Sequence, residues 1–297
     1  MTLEQLRIFV AVAEREHIRR AAEALHLTQS AVSAAIRAIE ERHDVALFHR
    51  VGRRIELTEA GRLFHGEAAA VLARARAAER LLDDLGALVR GTLPVAASQT
   101  VSNYWLPQRL VRFRADHPGI ATVLHVGNTA EVVGRVLDGS VDLGIVEGEV
   151  DAPALAGRTV AHDRMVIVVA PGHPWTQVPP VNAAVLAEAD WVLREPGSGT
   201  RSVFEAALLR HGIEIPAARV VLELPSNEAV CSAVAAGGGV TAISEHVVEA
   251  LVASGRLAVV AFALPPRRFV VHWHKERQLG AAAYAFLQMI GCARNPQ

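Results

Sequence analysis

Two groups of residues in this chain have types and spacing suited to chemistry. The first is a set of arginines around one short stretch: Arg19 and Arg20 before it, Arg37 inside it, and Arg50, Arg53 and Arg54 after it. A guanidinium forks onto phosphate oxygens and guanine edges in a way an ammonium does not. Inside the stretch, Gln29 could bond adenine, while Ser30 and Ser33 suit several base edges. The second group is three loops rich in hydroxyls and glycine: Ser98-Gln99-Thr100, Gly127-Asn128-Thr129, and Glu195-Pro196-Gly197-Ser198-Gly199-Thr200-Arg201. Each lies between a strand-like and a helix-like segment, where free backbone N–H groups and hydroxyls suit an anion. The third loop resembles a phosphate cradle but lacks the GxxxxGK[ST] pattern of a P-loop. Backbone amides, Ser198, Thr200 and Arg201 could hold a carboxylate, a sulfur oxyanion or a phosphate there. Glu147, after the third strand, is a candidate to line the crossover region.

These residues need elements to place them. Leu3, Leu6, Val10 and Ala13 recur at helical spacing, and Ile18, Ala21, Ala22 and Leu25 mark a second short helix. After a break at 26–29, Thr28 can cap a third helix running to about Glu41. At 100° per residue, Ala31, Val32, Ala35, Ile36 and Ile39 fall within an arc of about 140°, with Ser30, Ser33, Ala34 and Arg37 opposite. A short helix and tight turn before it give helix-turn-helix spacing, and residues 48–50 and 54–57 read as a small hairpin whose arginines would touch the phosphate backbone or minor groove. Thr58 can cap a further helix, with Glu59 in its first turn, running without proline to about Val89. Along it Phe64, Ala68, Val71, Ala75, Ala78, Leu82, Leu85 and Val89 alternate four and three apart, a heptad seam that implies pairing with a second copy.

From Thr92 on, apolar runs at 93–97, 120–126, 141–146, 165–170, 191–194, 220–224, 240–244, 257–262 and 269–273 alternate with helical stretches such as 105–115, 131–137, 202–211, 228–236 and 246–253. This βα alternation predicts a mostly parallel α/β sheet, as one domain or two lobes.

Composition sets outer bounds. The chain has 297 residues, a formal net charge of -1 and 51% hydrophobic content, which excludes a disordered chain and suggests two or more domains. Its cations are 29 arginines and the single Lys275. The longest apolar runs are far short of the roughly 20 residues of a membrane helix, and no secretory signal is visible, so a cytoplasmic protein is expected. Cys231 and Cys292 are too few for a disulfide framework and would form a redox switch only if close in space. His272 and His274 share one strand face, but a metal site wants further ligands, so neither metal nor cofactor is expected. Gly237-Gly238-Gly239 reads as a helix-to-strand turn that needs positive φ. No G-x-S-x-G, no G-x-G-x-x-G after a strand and no convincing Cys/His pair points to an enzyme.

Residues 1–66, with "AAEALHLTQSAVS", "LF.R" and "LTEAG", resemble the winged helix-turn-helix of LysR-type transcriptional regulators, and the resemblance extends over nearly the whole chain. Two departures are Ser30, where that family commonly has proline, and His17-Ile18-Arg19-Arg20, where it has a smaller, more neutral turn. The resemblance implies an N-terminal all-α winged helix-turn-helix (1–58), a linker helix pairing two subunits (59–90), and a C-terminal α/β two-lobed domain like a periplasmic binding protein (91–297). Lobe I would hold 91–161 and 266–297 and lobe II 162–265, with crossings near Ala161 and Pro265. It implies a small effector in the cleft, with Thr129 facing it, and double-stranded DNA, RNA polymerase and further copies of the chain, as dimer or tetramer, as partners. The strings "GNT" and "EPGSGTR" are similar to a branch tied to sulfur assimilation and carbon-fixation genes, which suggests an anionic effector. The leading expectation is thus a ligand-responsive DNA-binding regulator. A small-anion binding protein, a cysteine-based redox regulator and an α/β enzyme are the competing classes.

Overall fold

The structure, a computed structural model, describes residues 1–51, 54–85, 91–180, 182–210 and 212–292. It divides into two compact units, one of residues 1–88 and 138–140, the other of 89–137 and 141–297.

The first unit contains α1 (Leu3–Arg15), α2 (Ile18–Leu25), α3 (Gln29–His43), β1 (Phe48–Val51), β2 (Arg54–Leu57) and α4 (Glu59–Leu85). Thr2 and Gln5 close a capping box at the start of α1, and Thr28 Oγ1 accepts from Ala31 N at the start of α3. Leu6, Phe9, Val12, Ala22, Val32, Ile36 and Ile39 form the core. Phe9 is its centre: its ring lies 5.4 Å from that of Phe48 on the hairpin and 4.7 Å from that of Phe64 on α4. β1 and β2 pair antiparallel from Phe48↔Leu57 to Val51↔Arg54. The root of this wing is fixed by two polar side chains. Glu40 Oε1, near the end of α3, accepts from Leu47 N at 2.8 Å and Phe48 N at 3.2 Å. Thr58 donates to Ala46 O and accepts from Gly61 N, capping α4 while tying it to the segment before β1. Gly61 then passes so close to Leu47 that a Cβ there would lie 2.1 Å from its carbonyl oxygen.

In the second unit the elements in order are β3 (Gly91–Ser98), α5 (Leu106–Asp116), β4 (Ile120–Gly127), α6 (Thr129–Asp138), β5 (Leu143–Glu147), β6 (Leu155–Asp163), β7 (Met165–Val169), α7 (Ala183–Leu186), β8 (Trp191–Arg194), α8 (Gly199–Leu209), β9 (Val220–Leu224), α9 (Asn227–Ala235), β10 (Thr241–Ser244), α10 (Glu245–Ala253), β11 (Ala258–Val260), β12 (Arg267–His274) and α11 (Ala281–Met289). Helical backbone begins at Gln99, earlier than the predicted 105, with a wide π-type turn over Val101–Trp105. Pro107 explains the widening: it cannot donate, and in a regular helix its ring would strike the carbonyl of Asn103.

Lobe I is a five-stranded sheet in the order β4-β3-β5-β12-β6. Lobe II holds β10-β7-β11 and β8-β9, joined by a bridge between Trp191 and Val240. Each sheet is covered on both faces. Phe113 and Phe286 pack edge-to-face, 5.3 Å apart, on one side of lobe I, with Val132 and Val136 on the other. Phe204 packs 4.6 Å from Trp191 on one side of lobe II, with Val230 and Val234 on the other. The expected glycine turn is present, with φ +87° at Gly237 and +130° at Gly239.

The sheets are mixed, which corrects the expectation of a mostly parallel one. β3 runs parallel to β4 and β5, and β8 to β9, but β12 is antiparallel to β5 and β6, and β7 to β10 and β11. The reason is topological. β7 and β12 enter their sheets from the edge at which β5 and β10 end, so they must run the opposite way. β6 was also absent from the expected strands. It is an edge strand with a mostly half-exposed, polar sequence, so it shows no apolar run. Because it stays paired with β12 to Asp163, the chain crosses at Arg164, beyond Ala161.

Gly61→Ala tests the wing geometry. At an ordinary helical position alanine stabilises by about 1 kcal/mol over glycine. Here the clash with Leu47 should reverse the sign, destabilising the first unit by on the order of 1–3 kcal/mol in denaturant melts; an unchanged or raised midpoint would show that α4 can shift away.

Candidate nucleic-acid interface and ligand cleft

α2 ends at His26, which takes φ +55°, and Leu27 and Thr28 lead directly into α3. Val32, Ile36 and Ile39 are buried, so α3 must turn its other side outward. That side presents Gln29, Ser30, Ala34 and Arg37 exposed and Ser33 half-buried. Thr28 Oγ1, beyond capping the helix, lies 3.0 Å from Ser30 Oγ, so Ser30 is tied to the turn that proline would otherwise stiffen. Arg20 and Arg37 are exposed and have no ion-pair partner among the described residues. Arg19 is less free: its Nε donates to Glu23 Oε1 at 2.8 Å along α2, a hydrogen bond that raises the arginine pKa and lowers that of Glu23. Arg53 lies outside the described residues, as do the side chains of Arg50 and Arg54. Glu40, which anchors α3 to the wing, was not singled out from sequence. A glutamate one residue past Ile39 near a helix end was its only signal.

On α4, Phe64 packs against Phe9 of its own chain and Ala68 is buried in the same core, which corrects the placing of Phe64 in an outward seam. The outward seam begins at Val71, 46% exposed, and continues through half-buried Ala75 and exposed Ala78. Val89 and the side chains of Leu82 and Leu85 lie outside the described residues.

In the second unit, the strand ends bring the hydroxyl loops together. Ser98, Thr100, Ser198 and Thr200 are buried, as are Glu147, Asp163 and Arg267. Arg267, at the start of β12, is the centre. Its Nε donates to Asp163 Oδ2 at 2.6 Å, Nη1 donates to Thr200 Oγ1 at 3.1 Å, and Nη2 donates to Thr100 Oγ1 at 3.5 Å. Asp163 Oδ1 also accepts from Ser244 Oγ at 2.9 Å. A second buried arginine, Arg194, donates to both oxygens of Glu195 and to Asn227 Oδ1, and Asn227 Nδ2 donates to Thr100 Oγ1 at 3.3 Å. Burial pushes the Glu195 carboxyl up, but the Arg194 bonds and charge outweigh it and hold it below its ordinary value.

Four of the helices that start at this edge differ in their caps. Asn128 and Glu131 cap α6 reciprocally, and Ser226 caps α9. Ser198 makes no side-chain cap on α8, and Ser98 Oγ, before the helical backbone at Gln99, has no partner. Thr129 Oγ1 is likewise buried and unpartnered. Thr100 and Thr200 accept from Arg267, so each hydroxyl still has a proton to donate, and no acceptor for it is found among the described residues. The result is a concentration of unsatisfied donors, which is what an anion needs.

Two expected members do not fit that role. Arg201 turns away: Nε donates to Glu205 at 2.7 Å, and Nη1 to Glu223 at 2.6 Å and to Arg194 O. Gln99 is spent between lobes, donating to Pro225 O and accepting from Asn227 N. Sequence reading missed Arg267, Arg194, Asp163 and Asn227. The available signal was the pair Arg267-Arg268 opening a strand just after the expected crossing at Pro265.

The redox reading loses its chemistry. Burial raises the Cys231 thiol to about 12 and raises Cys292 as well, and the two sit in separate cores, one in each lobe. A reactive cysteine needs a stabilised thiolate. Among the described residues no cluster of three or more His, Cys, Asp or Glu could hold a metal, and no helix is long and apolar enough to cross a membrane. His272 is buried with Nε2 unpartnered, and burial lowers its pKa.

Arg267→Met should destabilise the second unit by about 3–5 kcal/mol, because Asp163 is then left buried and unpaired. Arg267→Met with Asp163→Leu should recover most of that loss in thermal melts; equal losses in the single and double variants would show that the pair is not coupled.

Comparison with known proteins adds three findings. The family description "Bacterial regulatory helix-turn-helix protein, lysR family" matches residues 3–62, and "LysR substrate binding domain" matches 86–293. Among curated relatives, an HTH-type transcriptional regulator of Escherichia coli K12, YeiE, is 36% identical over all of this chain and 99% of its own length. The RuBisCO operon transcriptional regulator of Acidithiobacillus ferrooxidans is 36% identical over 87% of this chain and 82% of its own. Among solved structures, CbnR, a LysR family transcriptional regulator, aligns over 98% of both chains with TM-score 0.69 at 21% identity, a likeness of fold. The Synechocystis PCC6803 CcmR regulatory domain in complex with 2-PG aligns over 69% of this chain and 99% of its own, with TM-score 0.61 and 27% identity.

Proposed function

We propose, for a chain that belongs to the LysR family of transcriptional regulators, that its operator binding is controlled by a small oxyanion held between the two lobes. The observation that carries the ligand class is the pair of uncapped helix starts, Ser98–Thr100 and Ser198–Thr200, the second lying against Thr129, with the buried hydroxyl oxygens of Ser98 and Thr129 unpartnered. Helix N-termini and oriented hydroxyls bind oxyanions through dipoles, without a free cation. Both buried arginines already have carboxylate partners, which agrees with recognition by neutral donors. The regulatory domain of CcmR, similar in fold, has a structure in complex with 2-PG, which supports a small ligand in this one.

In this reading α3 lies in the major groove. Gln29, Ser30, Ser33 and Arg37 read base edges, while Arg20, Thr28 and the hairpin arginines Arg50, Arg53 and Arg54 hold phosphates. Arg19 joins them when it leaves Glu23. The seam from Val71 through Ala78 to Leu82, Leu85 and Val89 pairs two copies, so that two half-sites are read together and tetramers form from dimers. Residues 1–58 read DNA, 59–90 pair the copies, and 91–297 sense the ligand. The protein acts in the cytoplasm, where its DNA and RNA polymerase are found.

Three measurements test this. Arg37→Ala should cost about 1–3 kcal/mol on the cognate operator and less on random DNA; equal losses in a binding titration would make Arg37 a phosphate contact. Val71→Glu together with Ala78→Glu should leave the fold intact, since both positions are outward, yet convert dimers to monomers in sedimentation. An unchanged profile would locate pairing elsewhere. Ser98→Ala and Thr129→Val should each weaken oxyanion binding by roughly tenfold in calorimetric titration, and intact binding by both would move the ligand out of the cleft.

A further inference from the structure

We propose that Glu147 makes this cleft select ligands that bring their own proton donor beside the anionic group. The inference rests on the oxyanion reading above and narrows it. Glu147, at the end of β5, is 3% exposed. Its nearest cation is Arg267 Nη2 at 3.9 Å, beyond hydrogen-bond reach, because the short contacts of that guanidinium go to Asp163, Thr200 and Thr100. Arg194 is committed to Glu195. His246 faces Asp163 from α10, not Glu147. The buried group of Arg267, Asp163 and Glu147 therefore holds one formal positive and two formal negative charges, and Glu147 is the carboxylate without a short partner.

Its position turns this surplus into a selection rule. A Cβ built on Gly199 would lie 3.1 Å from Glu147 Oε2 and 2.5 Å from Thr129 Oγ1. The carboxylate and the unpartnered hydroxyl thus converge on the first residue of α8, where an anion would accept the free N–H groups. An oxyanion seated there touches Glu147. Two like charges in contact in a buried site cannot both stay ionised, so one proton must lie between them. While ionised, the carboxylate is acceptor-only, so a ligand that offers it an O–H or N–H binds without Glu147 having to take up a proton first. A fully deprotonated tetrahedral anion has none. A hydrogen-bearing oxyanion supplies an acid hydrogen, and a zwitterion supplies an ammonium. Both share the required chemistry, an anionic head with an adjacent donor. The same carboxylate would reject by repulsion what it cannot hydrogen-bond, the usual basis of strong discrimination at a polar site.

The test is calorimetric titration of the full chain at neutral pH with four probes: inorganic phosphate, which keeps a proton; sulfate, which does not; taurine; and ethanesulfonate, which is taurine without its ammonium. Wild type should bind phosphate over sulfate, or taurine over ethanesulfonate, by about tenfold or more, and the pair that shows the gap identifies the source of the donor. In Glu147→Gln the amide can donate as well as accept, so the gap should close, mainly through tighter binding of the proton-free partner. Equal binding of both members of each pair by wild type, or a gap unchanged in Glu147→Gln, overturns the selection rule. If Glu147→Gln does not fold, the wild-type comparison decides alone. Thr129→Val separates the two readings: binding that depends on Thr129 but ignores the proton defeats the role of Glu147 only. Binding indifferent to both Thr129→Val and Ser98→Ala, or no binding of any probe, defeats the oxyanion cleft with it.

Discussion

The ion pair between Arg267 and Asp163 stands where the polypeptide crosses between its two lobes. Asp163 closes the strand that leaves lobe I, Arg267 opens the strand that returns, and Ser244 joins them from the start of α10. Neither charge reaches solvent. Removing either partner would leave the other buried and unpaired, a penalty of several kcal/mol. Everything around the pair is thereby constrained to keep it enclosed. The crossing strands must enter from the edge where the others end, which forces the antiparallel neighbours in both sheets. The loops carrying Thr100 and Thr200 close over the guanidinium, one from each lobe.

That closure has a chemical side effect. By donating to the two threonine oxygens, Arg267 dictates which way their hydroxyl hydrogens can point. On an anion bound as proposed it would therefore act at second hand, through donors it has already oriented and polarised. Lobe alignment and the proposed ligand recognition would share one guanidinium. With both buried arginines already paired to carboxylates, an anion bound as proposed would enter and leave without breaking a buried salt bridge.

What the sequence revealed followed the distance over which information travels. The buried stripe of α3 (except Ala31, which is exposed at its first turn), the caps at Thr28 and Thr58 and the hydroxyl loops depend on residues a few positions apart, and were legible. The contact of Arg267 with Thr100 spans 167 positions, and no local pattern announces it. β6 was hidden for a different reason: an edge strand facing solvent needs no apolar run. Arg201 looked like a ligand contact because its loop does, yet its own helix and β9 supply glutamates that claim it. Phe64 fitted the heptad spacing, but spacing alone does not say whose aromatic ring a phenylalanine will meet.

Gly61 leaves no clearance between the linker helix and the carbonyl of Leu47 at the root of the wing, while Glu40 fastens the same root to α3. With Phe9 wedged between hairpin and helix, α4 has little freedom to roll or slide by itself. The 27-residue helix is therefore a lever welded to the DNA-reading head. A tilt of about 5° in a rod roughly 40 Å long displaces its far end by about 3–4 Å. If two copies pair along α4 as proposed, a shift of that size would be delivered undamped to their α3 helices, as a change in the spacing and angle at which they meet successive turns of a duplex.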